Sequence, residues 1–140
     1  MERREKAVDY IHNGCNCCQA VLMAFGDELA LDVDMLKQAG AAFGTGTGGM
    51  KATCGALVGA QMVLGFKEYE GRPILRQARA LTDVFEEKCG ATVCRELKGI
   101  GTGKVLCECD DCVRNAVDAL NGLLSEDSLR AASLEASKTE

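Results

Sequence analysis

An all-α, single-domain bundle of about six helices is the fold the sequence predicts, and three observations predict it. Apolar residues recur at helical spacing along most of the chain. Gly is frequent at 16 residues, aromatic residues make up 4% and Trp is absent. Such small side chains suit closely packed helices, whereas strands favour β-branched and aromatic residues. Finally, 140 residues fit one domain, a size that buries about 70% of the unfolded surface and needs no disulfides to fold.

The elements follow in order. Arg3 to His12 carries an apolar stripe of Ala7, Val8 and Ile11, and Asn13-Gly14 breaks it. Asn16 reads as the next N-cap, with Gln19 at capping-box spacing. That cap places Cys17 and Cys18 first in a helix running to about Leu29. Asp32 caps a third helix, with Val33, Leu36 and Ala39 facing inward. A glycine-rich loop from Gly44 to Gly49 follows, and Thr53 caps a fourth helix whose first residue is Cys54. This helix is apolar nearly all round, so it is expected at the centre of the bundle. Gly55 and Gly59 lie four apart on one of its faces and admit a neighbouring backbone.

Glu70-Gly71 makes a turn, and Pro73 suits the first position of a fifth helix. Its buried face is Ile74, Ala78, Leu81 and Phe85, and Gly90 stops it. Thr92 caps a short helix holding Cys94 and Leu97. Asp110 or Asp111 caps a last helix, with Val113, Ala116, Val117, Leu120 and Leu123 inside. The expected division is a cysteine-rich helical domain over residues 1–125 and a polar tail over 126–140.

A formal net charge of −5 argues against a nucleic-acid footprint, which needs clustered Lys and Arg. The uncharged run Ala52 to Phe66 is 15 residues, too short to span a bilayer comfortably. No apolar signal-peptide core follows MERREK. The expectation is a soluble, cytoplasmic protein. In that setting nine cysteines point to metal binding or redox chemistry rather than a disulfide framework.

The positions of those cysteines sharpen the point. Cys17, Cys54 and Cys112 fall at or beside expected helix N-termini, and Cys94 falls in the first turn of another. Helix starts carry partial positive charge and unpaired N–H groups, which favour thiolate over thiol. A thiolate is both a nucleophile and a soft-metal ligand. Cys15, Cys18 and Cys89 read instead as small buried hydrophobes. Cys107, Cys109 and Cys112 give C-x-C-x-x-C, a spacing that can chelate a metal or exchange disulfides.

Gly44, Gly46 and Gly49 match G-x-G-x-x-G, but the lead-in from Leu36 to Phe43 reads as helix, which disfavours a dinucleotide site. The loop reads better as a collar, with Gly49 and Gly55 bringing backbone N–H groups to the Cys54 helix start. His12, the single histidine, reads as a surface residue.

The chain resembles the redox-active proteins named for a C…GCAxxG…C…C cysteine pattern, also written with CGAxxG. Asn16-Cys17-Cys18-Gln19-Ala20 is similar to the family's Asn-Cys-Ala-Gln-Ala. Cys54-Gly55-Ala56-Leu57-Val58-Gly59 matches CGAxxG, Cys94-Arg95-Glu96-Leu97 resembles the third segment, and Cys112 the fourth. Cys18 stands where the family usually has Ala, and Cys15, Cys89, Cys107 and Cys109 are extra. The resemblance implies a redox role through Cys17, Cys54, Cys94 and Cys112, with Cys107 or Cys109 as substitutes for Cys112. A similar helical domain in split-Soret cytochromes implies an iron–sulfur centre, although the absence of C-x-x-C-H here argues against c-type haem.

The leading expectation is therefore four thiolates that hold an iron–sulfur cluster or another metal for electron transfer with another redox protein or carrier. One alternative is a thiol–disulfide oxidoreductase with Cys54 attacking and Cys17 or Cys112 resolving. Another is a structural zinc protein or a helical interaction module with no metal. A homo-oligomer is compatible with each.

Overall fold

A computed structural model describes residues 1–138 of the chain, with side chains described for residues 1–125. Among the described residues it is all-α. Six helices carry the fold: α1 (Arg3–His12), α2 (Cys17–Ala24), α4 (Val33–Gly40), α6 (Gly55–Glu68), α7 (Leu75–Cys89) and α9 (Cys109–Lys138). Three four-residue pieces bring the described helices to nine: α3 (Gly26–Leu29), α5 (Gly44–Thr47) and α8 (Cys94–Leu97). The backbone of α9 continues into the segment read as a polar tail; its side chains past 125, and residues 139–140, lie outside the described ones.

α2 and α6 form the centre. Ala20, Leu22, Ala24, Leu57, Ala60 and Leu64 are fully buried. α1, α7 and α9 pack around this pair, and α4 lies against α2. Burial of aliphatic side chains of this size stabilises each by about 1.5–3 kcal/mol relative to exposure. Gly55 and Gly59 do let a backbone in: a Cβ on Gly59 would sit 2.8 Å from the Cys18 carbonyl oxygen. Cys17 and Gly55 meet at one end of the pair, while at the other Lys67 of α6 bonds Glu28, on α3 just past the end of α2, at 2.8 Å. The two helices therefore run the same way, with both N-termini at one end.

Local signals account for several ends. Asn16 accepts from the Gln19 N–H at 2.8 Å, and the Gln19 side chain accepts from the Asn16 N–H at 2.9 Å, completing the capping box. The Asn16 amide also donates to the carbonyls of Gly40 and Ala41 at 3.1 and 3.2 Å, tying α4 to the start of α2. Asp32 caps α4 through the Asp34 N–H, and Gly90 ends α7 at φ 95°.

Other ends differ from expectation. The second helix stops at Ala24 because buried Phe25 takes φ −99°, ψ 5° and its N–H turns to the Leu22 carbonyl; α3 restarts beyond it. On α4 only Leu36 and Gly40 are buried, while Val33 and Ala39 are exposed. Gly40 explains this: a Cβ there would meet the Gln19 nitrogen at 3.0 Å, so α4 touches α2 along a narrow line. α7 begins at Leu75, two residues after Pro73, since the Ile74 carbonyl accepts its first helical bond from Ala78.

Candidate metal centre

The glycine-rich loop and the segment before α8 are stitched together. Thr53 and Val93 form an isolated antiparallel bridge. The Cys54 N–H donates to the Thr92 carbonyl at 2.8 Å, the Cys94 N–H to Ala52 at 3.0 Å and the Arg95 N–H to Met50 at 2.8 Å. This pairing moves two helix starts by one residue. Thr53 is held extended in the bridge, so Cys54 itself is the N-cap of α6, with φ −51° and ψ 132°. Val93 rather than Thr92 is the N-cap of α8. In α9 the shift is larger: the helix begins at Cys109, and Cys112, whose N–H bonds the Glu108 carbonyl at 2.8 Å, is its fourth residue, with Asp110 and Asp111 inside the first turn.

The loop itself is tightly wound. Thr45, Gly46, Thr47 and Met50 all have positive φ, near 54°, 57°, 64° and 60°. For the three non-glycine residues this conformation costs roughly 1–2 kcal/mol each. Gly46 is buried against Cys94; a Cβ on it would lie 2.6 Å from that of Cys94 and 3.4 Å from its sulfur. A Cβ on Gly55 would lie 2.5 Å from the Cys17 sulfur and 2.7 Å from the Phe43 carbonyl oxygen. Glycine is required at both positions by backbone that closes around sulfur.

One cavity of about 170 Å³ results. Cys17, Cys54, Cys94, Cys107, Cys109 and Cys112 line it, and Lys98 is the cation in its wall. Since a single water needs about 10–15 Å³ measured this way, there is room for more than one small ion. Cys17 opens α2, Cys54 caps α6, Cys94 opens α8 and Cys109 opens α9, so four helix N-termini share this space.

The thiols are coupled. Cys54, only 6% exposed, has its pKa held down to about 3. The first cause is a hydrogen bond from Cys112, the second one from Cys17; both outweigh burial. The Ala56 and Leu57 amides lower it further, although neither makes a well-aligned capping bond. Cys112 and Cys17 move upward, in each case first because the hydrogen bond to Cys54 favours their protonated form. Among the three, negative charge is favoured at Cys54. The Thr45 N–H, aimed by the wound loop, opposes the rise at Cys17. Burial raises Cys94, and Lys98 partly offsets it.

Cys109 lines the cavity but is exposed. Gly49 stands apart from the other expected site residues: it is exposed, with open space where a Cβ would be, and Gly46 makes the close approach instead. His12 is a surface residue bonded to Asp110 at 2.8 Å. Cys18 is buried as expected and Cys15 is only half-buried, each against a methionine sulfur, Met62 and Met23 respectively. Cys89 is buried too, but its sulfur lies within 4.8 Å of those of Cys107 and Cys112, which no local pattern indicated. Gly90 marked the end of α7; only the fold shows that this end meets the start of α9.

The donors fit a thiophilic metal group. The cysteines line a shared space, the nearest backbone carries no Cβ at Gly46 and Gly55, and the Cys89–Cys107–Cys112 cluster could itself hold a metal ion. A protein-family model described as "Putative redox-active protein (C_GCAxxG_C_C)" matches residues 15–123. The chain belongs to this family. Comparisons with curated proteins and with solved structures give no significant match.

Proposed function

We propose that this member of the C_GCAxxG_C_C family uses Cys17, Cys54, Cys94 and Cys112 as thiolate ligands of an iron–sulfur cluster and exchanges electrons with another redox protein or carrier. The observation that supports the reading most is that all four cysteines, though up to 95 positions apart in the chain, line the same cavity. Four thiolates are the usual protein ligands of a [2Fe–2S] or [4Fe–4S] group. When bound, the cluster would supply the electron-accepting centre.

The remaining roles fall to the chain. Cys54 would provide the first thiolate, because its neighbours push its pKa down. The helix-start amides and the Thr45 N–H favour negative sulfur. Lys98 lies close to Cys109, Cys94 and Cys17; burial works against its charge, yet those sulfurs hold its pKa above the usual value. It would offset part of the thiolate charge. A reducing compartment such as the cytoplasm suits this chemistry.

Anaerobic purification followed by iron and acid-labile sulfide assays and visible absorption tests the proposal. Iron and sulfide in near-equal amounts, with a brown chromophore, are expected. A colourless, iron-free protein after reconstitution overturns it, and zinc in that protein that is lost with Cys17 and Cys54 would point to a structural zinc site.

A second reading has its own support. Cys54 is flanked by both Cys17 and Cys112, so a thiolate and two resolving thiols are already together. In that reading Cys54 attacks a substrate disulfide and Cys17 or Cys112 releases it as the second thiol. Trapping a mixed disulfide on Cys54 in a Cys17→Ser/Cys112→Ser variant would favour it. The burial of Cys54 favours the cluster reading.

A further inference from the structure

Cys89 and Cys107 lie outside the family's four cysteines, yet with Cys112 they place three sulfurs within 4.8 Å of one another. They are brought together by chain ends. α7 finishes at Cys89, where Gly90 turns the chain away in the left-handed region. The N–H groups of Leu106 and Cys107 both donate to the Leu97 carbonyl, at 2.9 and 3.2 Å, which anchors Cys107 to α8. The Cys112 sulfur also lies 3.6 Å from the Cys107 carbonyl oxygen.

Two further observations give this cluster the form of a site. Asn115, one turn along α9, donates its side-chain amide to the Cys89 sulfur at 3.3 Å and reaches the Cys107 sulfur at 3.8 Å. An amide shared between sulfurs is the outer hydrogen bonding that tunes metal-bound thiolates. Cys107 also lines a second, open cavity of about 380 Å³ on the outer side, together with Lys88, Glu108, Asp111 and Asn115. It thus stands in the wall between the inner cavity and a solvent-facing one, and the outer cavity is an entry path.

We propose that Cys89, Cys107 and Cys112 form a second thiolate site, which takes a single soft d¹⁰ ion, zinc or cuprous copper, from the outer cavity. Zinc–thiolate bonds of about 2.3 Å place ligand sulfurs about 3.8–4.0 Å apart, within the separation found here and with little movement required. Thiolate ligands select for these ions over harder ones. Two of the three ligands are not ligands of the proposed cluster, so the site does not rest on that reading; Cys112 faces both.

The test adds zinc, or in a separate arm cuprous ion, to the anaerobically purified protein, then removes loose metal and counts what stays. One retained equivalent of either ion is expected, with the peptides carrying Cys89 and Cys107 protected from alkylation. A Cys17→Ser/Cys54→Ser variant should retain it, although it loses the iron. Cys89→Ala should lose it, and Asn115→Ala should weaken it by roughly tenfold. The alkylation readout uses the unmodified chain, so it stands even where a variant fails to fold. Equal alkylation of Cys89 and Cys107 with and without metal overturns the proposal, as does a Cys89–Cys107 disulfide in place of bound metal. Loss of the equivalent together with Cys17 and Cys54 also overturns it, by reducing the cluster to an extension of the first site.

Discussion

At one end of the α2–α6 pair, Cys17 and Cys54 share a cavity, and Gly55 has no room for a methyl group. At the other end, Arg3 reaches Asp27 at 2.7 Å and Glu28 at 3.2 Å, and Lys67 reaches Glu28 at 2.8 Å, all at the surface. Arg3 also covers the Phe25 ring at 4.6 Å. The same two helices thus end in two kinds of chemistry. The charged end is held by exposed pairs that water and salt screen. The sulfur end depends on close backbone approach, on left-handed loop residues and on amides aimed at buried sulfur. The difference teaches where substitution should matter: at the charged end a lost contact is replaced by water, whereas at the sulfur end an added atom has nowhere to go.

The contrast can be broken most directly at the sulfur end. Cys54→Ser should remove most of the bound iron while leaving helix content by circular dichroism near wild type. Full iron retention would show that the cavity is not the metal centre. Gly55→Ala comes next. Its methyl group would press on the Cys17 sulfur and the Phe43 carbonyl, so urea unfolding should show a loss of about 1–3 kcal/mol along with impaired metal uptake. Gly49→Ala, at an open position with unexceptional φ, is the matched control and should change stability by no more than about 0.5 kcal/mol. If Gly49→Ala were the more damaging, the collar would be misplaced by three residues.

Asn16→Ala should cost about 1 kcal/mol through the lost cap. It also frees the carbonyls at the end of α4, so amide exchange should quicken around Gly40 and Ala41. The smallest effect belongs to the charged end. The Asp27 carboxyl is held down to about 2, first by its hydrogen bond with Arg3. A depressed acid stabilises the fold above its unfolded pKa near 4 and loses that contribution as pH falls through its folded value. Asp27→Asn should therefore cost only about 0.2–1 kcal/mol at pH 7, since the pair is exposed. The gap from wild type should close between about pH 4 and pH 2, and should also shrink in high salt. A gap that persists at pH 2 would show that the substitution acts through something other than the ion pair.

Legibility in the sequence followed the range of the interactions. The Asn16 capping box, the Asp32 cap and the Gly90 stop were readable because each partner lies within a few residues. Gly55 and Gly59 were readable as a contact face, though the residues they would meet were not. The start of α6 at Gly55 rather than Cys54 was hidden because it depends on the Thr53–Val93 bridge, 40 positions apart. The start of α9 at Cys109 was missed for a simpler reason: two adjacent acids at 110 and 111 look like caps, and here they lie inside the first turn.

The cysteine pattern shows the same division. By itself the sequence determined an all-α chain, the family, and four cysteines at or near helix starts, because capping and periodicity are local physics. Only the tertiary structure decided which sulfurs meet. It drew Cys107 and Cys109 into the same cavity as those four, left Gly49 outside and gave Gly46 the close contact. It also moved Cys89 from apparent packing residue to neighbour of Cys107 and Cys112. The reason is geometric. A residue's helix position follows from its neighbours in sequence, but the meeting of α7's last residue with α9's first turn depends on how whole helices pack.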